Sequence, residues 1–244
     1  MKKEQQILDM RYTILIFLSI LLLVSVSCNF SAAFGDKNVK TQQRTASYFN
    51  KIHIDGSYEL LIVQDSVCKL TLEADSNLLS IIKSKVEDSV LYINSSKTII
   101  RSEKLKIKVS SPNLKQIELF GSVELFSDSV LSYPELSLVV SGAAHVDMRL
   151  NTRKFSTAIS GGSEMFLSGK SGSTKIGLTG AGRINAFNLI TDTCLVNLSG
   201  IGRVDINANS VLEVNISGAG QVKYNGNAKV IKTVTGAGSV EKAY

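Results

Sequence analysis

A chain of 244 residues with 18 Gly, 2 Pro, no Trp, 7% aromatic and 20% charged residues is too apolar for a disordered segment, too rich in Gly for a helical bundle, and fits an all-β protein with many tight turns. Two His and three Cys, scattered as His53, His145, Cys28, Cys68 and Cys194, leave little material for a zinc site or a Cys/His nucleophile, so neither a metal nor a cofactor is expected. The net charge of +6 is interleaved, without a Lys/Arg run bearing spaced aromatics, and no nucleic-acid partner is expected.

Lys2, Lys3 and Arg11 precede an uncharged apolar stretch from Tyr12 to Ser27 that ends at Cys28. The stretch is short for a membrane-spanning helix and suits the core of a secretory signal. With the small residues Ser25 and Ser27 before Cys28, it resembles a bacterial lipoprotein signal, although Ser25 stands where Leu is common. Residues 1–28 are therefore expected to be a signal peptide ending at a lipidated Cys28, with the membrane as partner through that anchor. Each buried acyl CH₂ contributes ~0.8 kcal/mol, so several chains hold a domain on a membrane. Ordinary cleavage and an uncleaved anchor are the alternatives, and all three place the remainder outside the cytoplasm. Residues 29–45, NFSAAFGDKNVKTQQRT, are polar and aperiodic and read as a flexible tether. Asn29-Phe30-Ser31 lacks the acidic cluster that follows the Cys in some surface lipoproteins, which leaves the leaflet open.

Next come FNKIHIDGSYELLIVQ, VCKLTLEA, VLYINSS and KLKIKVSSPNL, which alternate as short N-terminal strands, while NLLSIIKSKV suggests a short helix. Cys68 shares parity with Leu70 and Leu72, and Cys194 with Val196 and Leu198. Both thiols are expected to point inward and to be unpaired.

From Leu119 onward one phrase recurs: FGSVELF, SGAAHVDM, SGGSEMFL, TGAGRINA, SGIGRVDI, SGAGQVKY and TGAGSVEK. Its leading glycines, Gly121, Gly142, Gly161, Gly180, Gly200, Gly218 and Gly236, follow one another at steps of 18 to 21 residues. Apolar residues stand two before each glycine (Leu119, Val140, Ile159, Leu178, Leu198, Ile216, Val234). In the last six copies they also stand four after it (Val146, Met165, Ile184, Val204, Val222, Val240). Residues two apart on both sides of a glycine turn describe strands that share one buried face. One copy cannot bury that face alone, so the copies must stack. The expected fold is a right-handed parallel β-helix, a β-solenoid of 18–21 residues per coil. A Greek-key sandwich is the alternative, and it would not require a fixed phrase. The last copy carries Lys242 six after its glycine, as a polar end cap would.

The order FNKIHIDGSYELLIV, VLYI, KLKIKVSSPNLKQIELFGS and the serial SGAGxV phrases closing in VKYNGNAKVIKTVTGAGSVEK resembles the auto-transporter adhesin head GIN domain family. The resemblance implies one such domain over residues 46–244, with the clear glycine phrases in 119–244. It also implies an adhesion role in exported proteins of Bacteroidetes, without naming a ligand.

On a stacked repeat the outward positions three after the glycines hold His145, Glu164, Arg183, Arg203, Gln221 and Ser239. Those five after hold Asp147, Phe166, Asn185, Asp205, Lys223 and Glu241. Glycan-cleaving enzymes need acids converging within roughly 5–9.5 Å, whereas Asp147 and Asp205 stand three copies apart, ~14 Å. Asp205 is expected to pair with Arg203, and Glu164 with Arg183. Ser141, Ser160, Thr179, Ser199, Ser217 and Thr235 form a hydroxyl ladder expected to tie neighbouring copies, and Asn197 and Asn215 an amide ladder. Asp65-Ser66-Val67, Asp88-Ser89-Val90 and Asp128-Ser129-Val130 resemble Bacteroidetes O-glycosylation sites at Ser66, Ser89 and Ser129. The expected function is a non-enzymatic, exported cell-envelope lipoprotein, an adhesin or interaction domain for an envelope glycan or protein. Glycan cleavage with acids gathered near Asp192, or a purely structural or stress-responsive envelope role, are the alternatives.

Overall fold

Alternating apolar residues become strands throughout residues 31–243, which the computed structural model describes. In chain order they are β1 (Ala32–Phe34), β2 (Val39–Arg44), β3 (Lys51–Gln64), β4 (Lys69–Asp75), β5 (Ile82–Glu87), β6 (Val90–Ser95) and β7 (Thr98–Arg101). There follow β8 (Leu105–Ser111), β9 (Gln116–Leu131), β10 (Glu135–Leu198), β11 (Ile201–Ile216), β12 (Gln221–Asn225), β13 (Lys229–Val234) and β14 (Ser239–Lys242). No helix occurs among the described residues.

The long strands pair in parallel with the glycine phrases aligned: Gly142 of β10 stands against Gly121 of β9, and Ala181 to Ala186 of β10 run beside Ile201 to Ile206 of β11. β11 in turn pairs in parallel with β12 and β13, and β12 with β14. Parallel pairing of this extent removes the Greek-key sandwich, whose neighbours run antiparallel. The expected inward columns are buried up to the last copy: Leu119, Val140, Ile159, Leu178, Leu198 and Ile216 before the glycines, and Val146, Met165, Ile184, Val204 and Val222 after them, are all at most 3% exposed.

Glycine is required because the backbones of neighbouring copies meet at this column. A Cβ on Gly121, Gly142, Gly161, Gly180, Gly200, Gly218 or Gly236 would overlap the carbonyl oxygen of the glycine one copy earlier. Gly161 also has φ +128°, a conformation that L side chains rarely adopt.

The stack has one more copy than the phrase count suggests. β3 lies in register against β9, with Ile54 opposite Leu119, Gly56 opposite Gly121 and Leu60 opposite Leu125. On its other side β3 pairs in parallel with β6 and β8. The chain thus leaves β3, forms the layer on its far side, and returns to lay β9 on its near side. Antiparallel strands close that far end: β5 on β6, β4 on β8, and β2 on β4.

Two local expectations are corrected. Residues 32–44 are not a tether, since β1 pairs with β7 and β2 with β4. The segment Asn77–Val86 is not a helix: the amides of Ile81 and Ile82 both turn back to Leu78 O, at 3.0 and 3.1 Å, and the chain then enters β5, whose backbone pairs with β6. In the last copy Lys242 is exposed, as an end cap requires, and the inward column opens there, with Val234 38% exposed. The signal segment 1–28 and Cys28 lie outside the described residues.

The glycine column and its neighbour separate two kinds of glycine. Gly161→Ala should lower the urea midpoint by the equivalent of about 1–3 kcal/mol from backbone strain alone. Gly162→Ala, whose Cβ would meet nothing nearer than Ala181 O at 3.7 Å, should stay within ~0.5 kcal/mol of the parent. Equal effects at the two positions would contradict the close approach.

Candidate functional site

Because side chains alternate across each strand, every outward column repeats up the stack as a ladder. The hydroxyl column behaves as tie-points between copies: Ser160 Oγ lies 3.2 Å from Ser141 Oγ, and Thr179 Oγ1 3.1 Å from Ser199 Oγ. Asn215 Nδ2 donates to Asn197 Oδ1 at 3.1 Å, completing the amide pair. A second set of hydroxyls is buried within β10, where Thr152 meets Ser171 at 3.2 Å and Thr174 meets Thr191 at 3.1 Å. These bonds satisfy polar groups that would otherwise be costly to bury.

The acids of the flank are engaged singly. Arg203 Nε donates to both oxygens of Asp205, at 2.9 and 3.0 Å, and the Asp205 side chain is only 7% exposed. Glu164 does not meet Arg183 in an ion pair; its carboxylate lies 3.8 Å from His145 Nδ1 instead. Asp147 stands in register with Phe126 and Asp205 with Asn185, so these two acids are not neighbours. Asp192 is exposed. Among the described residues no three His, Cys, Asp or Glu side chains converge as a metal site would require.

Sequence reasoning missed what surrounds the two histidines. His53 of β3 lies between Tyr92 of β6 and Phe120 of β9, with ring centroids 5.4 and 4.9 Å away, and its Nδ1 is 2.9 Å from Glu118. His145 lies between Phe126 and Phe166, at 6.0 and 5.6 Å, beside Glu164. Each half-buried histidine therefore joins aromatic rings from the copies above and below it. For His145 the signal was legible, since Phe126, His145 and Phe166 recur at the copy spacing. For His53 it was hidden until β3 and β6 took their places.

Of the three Asp-Ser-Val sites, Ser66 and Ser129 are exposed, whereas Ser89 is half-buried in the turn between β5 and β6 with φ +61°. Both described cysteines are free: Cys194 is buried and Cys68 half-buried against the core. Burial pushes the Cys194 thiol up to about 12. Glu59 of β3 is held below its usual 4.5 chiefly by the hydrogen bond from Lys106 Nζ at 2.7 Å, with Lys104 3.5 Å away adding to it and partial burial opposing it.

The family model described as "Putative auto-transporter adhesin, head GIN domain" matches residues 48–228. Among solved structures, the chain is similar to a "putative adhesin" from Bacteroides fragilis at 22% identity and TM-score 0.79, covering 86% of this chain and 100% of that one. A "putative adhesin" from Parabacteroides merdae gives 21% identity and TM-score 0.65, covering 88% of this chain and 100% of that one. A protein from Parabacteroides distasonis described as a "Putative lipid binding protein" gives 21% identity and TM-score 0.71, covering 87% of this chain and 100% of that one. These likenesses are ones of fold. No curated protein matches the chain.

Two solution measurements check the local chemistry. Iodoacetamide at pH 8 should alkylate Cys68 in the native protein and Cys194 only after unfolding; early labelling of Cys194 would contradict its burial. A folded pKa below the unfolded value means that the Glu59 contribution is complete above about pH 4.5 and is lost as pH falls through the depressed value. Thermal scans from pH 6 down to 3 should therefore show a shallower acid-induced fall in Tm for Glu59→Gln than for the parent.

Proposed function

The chain belongs to the auto-transporter adhesin head GIN domain family, and from that membership we propose that it is a non-enzymatic, exported interaction protein of the cell envelope. Its stacked copies form a right-handed β-solenoid whose long flank is the binding surface, anchored to a membrane through a lipidated Cys28. The observation that supports this most is the unbroken parallel register from Gly56 through Gly142, continued by the glycine column to Gly236. A rigid stack of this kind repeats each outward column at a fixed spacing, which suits an extended partner. The pairing of Asp205 with Arg203, of Glu59 with Lys106 and of Glu118 with His53 gives these carboxylates structural partners. It favours binding over glycan cleavage.

Labelling with palmitate should mark the parent and leave Cys28→Ala unmarked, and protease shaving of intact cells should then report the leaflet. Retention on particular glycans or envelope proteins without turnover supports adhesion, whereas cleavage products would establish the enzyme reading. O-glycosylation is a separate proposal, resting on exposed Ser66 and Ser129. An intact mass without glycan, measured on protein from its native envelope, would remove it.

A further inference from the structure

Where successive copies enter the stack, their first residues leave a groove of ≈540 Å³ that runs across four of them. Leu136 and Phe155, both buried, line its base beside Pro134. The charged residues that line it are Lys115, Arg153, Lys154 and Lys175, with Glu135 the one acid. Glu135 is already engaged by Lys154 at 3.2 Å. Among the described residues, Lys115, Arg153 and Lys175 make no ion pair, and all three are exposed.

Backbone hydrogen bonds fix the order of these segments along the stack. Ser137 N donates to Lys115 O at 2.8 Å, and Arg153 N and Lys154 N donate to Pro134 O at 3.0 and 3.1 Å. With neighbouring strands ~4.8 Å apart, Lys115 and Lys175 stand three spacings, or ~14 Å, from one another. The three free cations repel one another across a low-dielectric base and focus a positive field along the groove. A compact anion such as one phosphate reaches one or two of them. A chain with an acidic group on successive units reaches all three and relieves the repulsion. Ser137, Ser156 and Ser173 line the same groove and offer hydroxyls to sugar hydroxyls, while the apolar base accepts the C–H faces of pyranose rings.

We propose that this groove binds an acidic polysaccharide laid along the stack axis. The proposal deepens the adhesion reading and rests on it for biological purpose, but its chemistry depends on the groove alone. The test uses the full chain in detergent, with polygalacturonate as the probe and dextran as the neutral control. Inorganic phosphate and phosphatidylglycerol vesicles serve as competing anions. Affinity for polygalacturonate should exceed that for dextran and fall at least tenfold between 50 and 500 mM NaCl, because exposed charges are screened. Lys115→Ser with Lys175→Ser should weaken it at least tenfold, whereas Lys229→Ser with Lys232→Ser, on the edge strand β13, should leave it within twofold. No binding to polygalacturonate at low salt, equal losses in both double variants, or preference for phosphate or vesicles would overturn the proposal. Retention on neutral glycans or proteins in those cases would leave the adhesion reading standing.

Discussion

The structure depends on one close approach, that of each phrase glycine to the carbonyl of the glycine one copy earlier. No side chain fits between them, so the column fixes both the lateral position and the register of every copy. Once that register is set, inward residues fall on inward residues and bury a continuous apolar core. A slip of one residue would turn the whole set outward, which is a strong penalty where one face is dry. The stack is thus specified twice, by steric fit at the glycines and by hydrophobic pattern in the strands.

The same register organises the surface. Hydroxyl, amide and aromatic-histidine ladders arise because a residue type repeated at the copy spacing must meet itself or its substitute in the next copy. Charges follow this rule as well, but with different consequences. Arg203 and Asp205 neutralise each other within one strand, whereas Lys115, Arg153 and Lys175 gather from separate copies without carboxylates to match. The flank is therefore not uniform, and one groove on it carries three cations from separate copies.

Much of this was legible in the sequence, because the inward columns, the glycine spacing and the Asn197–Asn215 pair all follow from counting along the phrase. The copy at Gly56 was overlooked although GSYEL and GSVEL are near-identical, since β4 to β8 intervene and break the spacing. β2 gave no apolar period because nearly all of it is exposed; it is held by backbone pairing with β4, which leaves no hydrophobic signature. In Asn77–Val86 the buried Leu78 and Ile82 are four apart as in a helix, but Ile82 belongs to β5 and its backbone pairs with Ser95. The grouping of Tyr92, His53 and Phe120 joins three distant segments, and only the return of the chain around β3 brings them together.

That return is the least obvious feature of the architecture, and it sets Gly56 against Gly121 at the head of the glycine column. Paired cysteines read it directly, since neighbouring strands ~4.8 Å apart fall within the Cα separation a disulfide tolerates. Ser57 stands opposite Ser122 in register, and Ser122 opposite Ala143 one copy further on. Oxidation of Ser57→Cys with Ser122→Cys should give a bridge mapped between those positions by mass spectrometry, while Ser57→Cys with Ala143→Cys should give none. A bridge in the second pair and not the first would contradict the placement of β3 beside β9.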